Sequence, residues 1–234
     1  MEIMKAQHQI ASAVDEVQRH WGPLIAQKAL QMQAIRLSVT DPFLWASGYR
    51  MPIYNDNRRL LADPSARTLV RDAFSALVDA IGSPCESVAG TATAGIPHAT
   101  SLADHLGMPL SYVRSSGKDH GLKNLIEGLG SDGSYHRQRV LLIEDLISTG
   151  GSSIRAVQAI READGVVDYC LAIFTYGLQA SVDAFSSLDP ACELISILDY
   201  DCMVATAKET GYVDAHDAEL LSRWRLDPFG WGSA

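Results

Sequence analysis

From residue 140 the chain runs apolar for four positions without alternation: Val140, Leu141, Leu142 and Ile143. That pattern predicts a strand buried on both faces, as in a parallel sheet. Two carboxylates, Glu144 and Asp145, follow at its carboxyl end, then Leu146 and Ile147, then a run of small residues, Ser148, Thr149, Gly150, Gly151 and Ser152. Beyond them Ile154, Val157, Ala159, Ile160 and Ala163 recur at helical spacing. The predicted order is strand, acidic pair, glycine-hydroxyl turn, helix. Backbone amides at such a helix start point outward and attract an anion, most often a phosphate.

The remaining pattern supplies the frame. Ile10, Ala13, Val14 and Val17 share one face of a predicted helix over 1–22, which Trp21, Gly22 and Pro23 are expected to end. A second helix is predicted at 24–34 and a short strand at 35–39. The stretches 43–48 and 51–58 read as a small hairpin around a glycine turn. Asp63 and Pro64 open a helix with an apolar stripe at Leu69, Val70, Ala73, Phe74, Leu77, Val78 and Ile81, closed by Gly82, Ser83 and Pro84. Strands are predicted at 86–90, 108–113, 166–175 and 194–198. Helices are predicted at 97–106 and 179–188, and two short helices reach Trp224. Strands that alternate with helices predict an α/β fold with a parallel central sheet flanked by helices. The expected organisation is a helical extension at 1–22 and one domain over 23–234. Within it, residues of about 23–60 and the C-terminal helices form a small hood, and about 64–200 form the core.

The stretch 90–98 is a second strand-turn-helix junction, built from Gly90, Thr91, Ala92, Thr93, Ala94, Gly95, Ile96, Pro97 and His98. Small residues there would let the backbone approach a ligand, although Gly and Thr turns are also common as plain structure. Ligands in open α/β sheets bind outside the carboxyl ends of the strands, where both junctions lie.

Composition narrows the function. With 47% hydrophobic residues in 234, one substantial core is expected. The net charge of −9 disfavours nucleic acid as a partner. Cys85, Cys170, Cys192 and Cys202 lack metal-ligand spacing and read as reduced core thiols. Residues 87–103 are uncharged but too broken by Gly90, Gly95, Pro97 and His98 to span a membrane, and no signal peptide profile is present. A cytoplasmic protein is expected. His8, His20, His105, His136 and His216 join no constellation.

Two carboxylates beside a bound anion repel it unless a cation or sugar hydroxyls intervene. A ribose 5-phosphate meets that need, with its phosphate in the turn and its hydroxyls on the acids. An acidic pair alone also suits a surface loop; the adjoining turn and helix favour the ligand. The stretch 140–153 resembles the phosphoribosyl pyrophosphate (PRPP) motif of the type I phosphoribosyltransferases at every position. The run Ala46, Ser47, Gly48, Tyr49, Arg50, Met51, Pro52, Ile53, Tyr54 is similar to the signature of one branch, orotate phosphoribosyltransferase. Lys118, Asp119, His120 and Gly121, with Ile126, Glu127 and Gly128, resemble that branch's mobile catalytic loop. Arg114, Lys118, His120 and Lys123 make this stretch locally cationic.

The resemblance implies transfer of the phosphoribosyl group from PRPP to N1 of orotate in pyrimidine biosynthesis, with Mg2+ held mostly by substrate and water oxygens. It implies catalytic roles for Lys118, His120, Glu144 and Asp145. PRPP contacts are implied for Arg114, Lys118, His120, Thr93, Ala94 and 144–152, that is Glu144, Asp145, Leu146, Ile147, Ser148, Thr149, Gly150, Gly151 and Ser152. Orotate contacts are implied for Ser47, Tyr54 and Ser148, while no metal site built from protein ligands alone is expected. It also implies a homodimer that shares the loop 114–130 across the interface, and by analogy a cis peptide near Ala92–Thr93. Many family members carry Lys where Ala46, Ala94 and Ser115 stand, Arg after the strand at 166–175, and Ser where Met51 stands. Arg50 and Arg58 are candidates on charge for the orotate carboxylate. The competing readings are a phosphoribosyltransferase for another base and a non-catalytic PRPP-sensing regulator. The hairpin signature disfavours the first, and the acidic charge with the loop Lys118 and His120 disfavours the second.

Overall fold

The computed structural model describes residues 2–45, 48–115 and 125–231, with side chains of the first helix from residue 7 onward. The chain opens with α1 (Glu2–Gln31), followed by the short strands β1 (Ile35–Leu37), β2 (Phe43–Leu44), β3 (Arg50–Met51) and β4 (Ile53–Asn55) and a 3-10 helix, Asn57–Ala62. The core alternates: α2 (Pro64–Ile81), β5 (Ser87–Thr91), α3 (Gly95–Leu106), β6 (Leu110–Val113), β7 (Ile126–Glu127), β8 (Val140–Ile147), α4 (Gly151–Glu162), β9 (Tyr169–Thr175), α5 (Gln179–Ser186) and β10 (Glu193–Asp199). Helices α6 (Tyr200–Glu209) and α7 (Ala215–Leu226) close it.

The central sheet has the order β10-β9-β8-β5-β6-β7. Its first five strands are parallel and β7 is antiparallel to β6. The inner strands are buried on both faces, so successive residues feed opposite cores. Leu141, Ile143, Leu171 and Ile173 pack with Val70, Phe74, Leu77, Ala99 and Leu102 of α2 and α3. Leu142, Cys170 and Ala172 pack with Ala156, Val157, Ile160 and Phe185 of α4 and α5. Each fully buried aliphatic side chain contributes roughly 1.5–3 kcal/mol, so the uninterrupted apolar run is a large part of what holds the sheet. The four cysteines are free, and Cys170 and Cys192 are buried, as expected of core thiols.

Two expectations need correction. Helix α1 runs unbroken through Gly22 and Pro23 where a break between two helices was expected. An interior proline costs roughly 3 kcal/mol, but burial of Val14, Ile25, Ala26, Ala29 and Leu30 in the core outweighs it. Gly22 sits where a Cβ would stand 3.1 Å from Cys202 Sγ and 3.2 Å from Ile197 O, so the helix lies close on α6 and β10 there. Strand β7 was not expected at all: its two residues, paired as Ile126↔Val113 and Glu127↔Tyr112, are too few to show a period.

The hood consists of two antiparallel pairs, β1 with β4 and β2 with β3; the expected hairpin of 43–48 with 51–58 is limited to Phe43↔Met51 and Leu44↔Arg50, because residues 53–55 pair with β1 instead. It docks on the C-terminal helices through aromatic contacts. Trp224 Nε1 donates to Met51 Sδ at 3.2 Å, and both residues are fully buried. That contact explains why a methionine occupies position 51. Trp45 packs on Tyr176 with ring centroids 5.6 Å apart, and Tyr49 meets Phe229 at 5.2 Å. No described helix is long and apolar enough to cross a membrane.

Candidate active site

Strand β8 continues two residues beyond the acidic pair, which therefore lies within the strand and not after it. The reason is its neighbours. Pairing with β5 stops at Gly90↔Ile143, whereas pairing with β9 continues through Glu144↔Ala172, Leu146↔Phe174 and Ile147↔Thr175. The carboxylates thus project where one neighbouring strand has ended and the other still holds the backbone.

The two acids have different surroundings. Glu144 is only 4% exposed. Its Oε1 accepts from Asp145 N at 3.0 Å, and its Oε2 accepts from Ser153 Oγ at 3.1 Å and Ser152 Oγ at 3.4 Å. It braces the first turn of α4. Asp145 is half-buried, and its carbonyl accepts from Asn57 Nδ2 at 2.7 Å. Burial raises both pKa values; the neighbouring Asp145 charge pushes Glu144 further up, while the hydrogen bond to Glu144 and the Arg58 charge pull Asp145 back down. A pair so placed favours a proton, a cation or a hydroxyl donor between its oxygens.

Beyond β8, Ser148 is half-buried and Thr149 exposed, and Gly150 adopts φ +84° as the residue before α4. Gly151 and Ser152 are exposed in the first helical turn. The side chains of Leu146 and Ile147 pack into the cores, so a ligand would meet those residues through the backbone. Across the edge, Ala92 N donates to Val113 O at 2.8 Å, the Ala92–Thr93 peptide is cis, Thr93 is exposed and Ala94 precedes α3. The cis bond falls where it was expected. Gly95 brings α3 against β8, since a Cβ there would meet Ile143 O at 2.6 Å. Helices α3, α4 and α5 begin without a side-chain cap, in contrast to α2, α6 and α7, whose first amides are capped by Asp63, Asp199 and Asp214. Uncapped amides remain available to an anion.

Arg114 stands at the end of β6 with its Nη1 3.4 Å from Glu127 Oε1, and its backbone N donates to Leu125 O. Tyr54 is half-buried in the hood, 5.9 Å from Phe43 by ring centroids, with the Arg36 guanidinium 4.7 Å from its ring. Ser47, Lys118, His120 and Lys123 lie outside the described residues. Asn57, Trp45 and Tyr176 were not anticipated as parts of the site. Asn57 follows a polar turn that looks like ordinary loop composition, and the two aromatics acquire their position only when the hood folds over β9.

Among the described residues no three His, Cys, Asp or Glu side chains come together to hold a metal. Asp145 is the half-buried carboxyl at the edge, and a divalent ion there would be held chiefly by oxygens of a bound substrate.

The sheet order, the uncapped turn after β8 and the acid pair are the features of a phosphoribosyl transferase domain, and the family model of that description matches residues 57–175. Similarity to whole proteins extends further. The chain is 42% identical over 211 residues to an orotate phosphoribosyltransferase of Porphyromonas gingivalis, covering 90% of this chain and 98% of that protein. It is 45% identical over 210 residues to an orotate phosphoribosyltransferase of Bacillus caldolyticus, covering 89% and 98%. The crystal structure of orotate phosphoribosyltransferase from Aeropyrum pernix superposes with a TM-score of 0.64 at 26% identity, covering 81% of this chain and 99% of that one. The chain belongs to the orotate phosphoribosyltransferase family.

Proposed function

We propose that this protein transfers the 5-phosphoribosyl group from PRPP to N1 of orotate, giving orotidine 5'-phosphate and pyrophosphate in pyrimidine biosynthesis. The observation that carries the reading is the junction after β8: a half-buried Asp145 set beside a turn whose helix has no side-chain cap. The 5-phosphate sits on the amides of 148–152, and Asp145 accepts from the ribose hydroxyls. Glu144 contributes by holding Ser152 and Ser153, and so fixes the turn. The pyrophosphate lies over 92–94, at the start of α3.

The bond from C1 of the ribose to the pyrophosphate oxygen breaks with its electron pair on pyrophosphate, a bond from C1 to N1 of orotate forms, and the N1 proton passes to the departing pyrophosphate or to solvent. Positive charge builds on the sugar as this happens, and the carboxylate of Asp145 below it stabilises that charge. Asp145 would hold a divalent ion there together with oxygens of the bound substrate, and such an ion would neutralise charge on the leaving group. Arg114, Lys118 and His120 take up the rest of its charge. The active form is a homodimer in the cytoplasm, in which the loop 114–130 serves the partner's site; β6 ends just before that loop and β7, within it, pairs back on β6. The reading is tested by the fall in orotate absorbance on addition of PRPP and Mg2+; no fall would overturn it. Lys118→Ala is expected to lose most turnover while the melting temperature is unchanged.

A further inference from the structure

The proposed reaction leaves one charge unanswered: orotate brings a carboxylate, which needs a cation in the base site. The geometry points to Arg225, near the end of α7, as the residue that recognises it; this rests on the reading of the site given above.

The sheet order says where the base must lie. The leaving pyrophosphate sits over the turn that follows β5, and a displacing nucleophile enters from the side opposite the leaving group. Strands β5 and β9 flank β8 on opposite sides, so orotate approaches from the β9 side. The backbone there is well placed. Thr175 pairs with Ile147, and Tyr176 N donates to Ile147 O at 3.1 Å, one residue before Ser148 begins the phosphate turn. Gly177 follows, with φ +62°. A Cβ on Gly177 would stand 3.1 Å from Arg225 Nη1, so the guanidinium lies over this turn and occupies the space that a side chain at 177 would fill. Trp45 of the hood packs on Tyr176 beside it and gives a planar ring an apolar wall.

Arg225 is suited to the task. Its Nη2 is 3.0 Å from Asp201 Oδ2, an acid whose side chain is 63% exposed. An exposed pair of this kind is weak and yields readily to a competing carboxylate. The planar guanidinium offers two parallel donors to a carboxylate. Of the hood arginines, Arg50 is exposed on β3, at a distance from the turn after β9 that no contact among the described residues bridges, and two others point elsewhere. Arg58 is engaged with Asp56 at 2.6 Å and faces Asp145, and Arg36 lies between the rings of Phe43 and Tyr54. A cation thus reaches the turn after β9 from a different part of the chain than the strand itself.

Three variants decide the matter, each compared with the wild-type protein by steady-state kinetics and thermal melting. Wild-type consumption of orotate comes first; its failure would overturn the proposed reaction itself, and Arg225 would then have no role to test. With that activity in hand, Arg225→Gln should raise the KM for orotate about ten- to a hundredfold, the value of charge-assisted hydrogen bonds, and leave the KM for PRPP unchanged. Its preference for orotate over uracil, which lacks the carboxylate, should fall in parallel. Arg225→Lys keeps the charge without the fork and should fall between. Asp201→Asn removes the competing acid and should leave the KM for orotate unchanged or lower it. A merely structural ion pair would instead make Asp201→Asn and Arg225→Gln alike, with both KM values and the melting temperature shifted together. That result, or an unchanged orotate KM in Arg225→Gln, would overturn the assignment. If Arg225→Gln does not fold, the Lys and Asp201 variants decide by the same criteria.

Discussion

The two edges of the central sheet are made of the same strands and satisfy their polar groups very differently. At the amino edge, Arg139 N donates to Glu86 Oε2 at 2.9 Å and the Arg139 guanidinium pairs with Asp168 at 2.9 Å. At the carboxyl edge and in the hood above it, Arg36 Nε, both polar atoms of the Asn55 amide, Asn57 Oδ1, Thr91 Oγ1 and His98 Nε2 are buried without a hydrogen-bond partner among the described residues. Burial alone holds His98 down to about 4, so it stays neutral near pH 7. Unpaired buried polar atoms each cost free energy, and proteins tolerate them chiefly where function requires an open partner. One edge closes the fold; the other leaves buried polar atoms without partners among the described residues.

The strongest way to break that contrast is Asp145→Asn, which leaves the fold's packing untouched. The kcat is expected to fall on the order of a hundred- to a thousandfold, with the melting temperature equal to or above that of wild type. An unchanged kcat would mean that the edge is not where the sugar's charge is met. Asn57→Ala acts on both stability and chemistry. It strips the hydrogen bond from the Asp145 carbonyl and should cost about 1–3 kcal/mol in chemical denaturation, with a fall in kcat as Asp145 loses its anchor.

Glu144→Gln sharpens the contrast through pH. Burial first and the Asp145 charge second raise the Glu144 pKa above the carboxyl range, so the folded state holds a proton that the unfolded chain gives up. The stability linked to this group is complete below the unfolded pKa and is lost as pH rises through the folded one. The Gln variant should therefore melt higher than wild type at alkaline pH, by on the order of 1 kcal/mol, about one pKa unit, and match it in acid. A pH-independent difference would show that the charge is not what matters. Arg139→Ala, at the finished edge, has the smallest expected effect. Its pair with Asp168 is 49% and 40% exposed, and about 0.2–1 kcal/mol of stability should be lost with kinetics unchanged.

Much of the carboxyl edge could be read from residue order, because its parts are local. A strand, two acids, a small-residue turn and a helix start are contiguous, and the periods of α2 and α4 are long enough to be unambiguous. The glycine turn between 44 and 50 was legible for the same reason, but the strand expected after it pairs mainly with the distant β1. The helix through Pro23 was not, since a breaker residue weighs heavily in any local reading and the burial that overrides it comes from α2, β10 and α6, all outside that local window. Strand β7 escaped because two residues have no period.

The difference between Glu144 and Asp145 marks the boundary most clearly. Residue order determined that two carboxylates would stand where a parallel strand meets a phosphate-type turn, since burial pattern and turn chemistry are properties of adjacent residues. Only the tertiary structure decided that Glu144 turns inward to Ser152 and Ser153 while Asp145 stays half-open, held by Asn57 from the hood. It likewise decided that Arg225 reaches Gly177 across 48 positions of chain. Such contacts depend on which surfaces meet when hood, sheet and C-terminal helices close on one another, and no local pattern encodes that meeting.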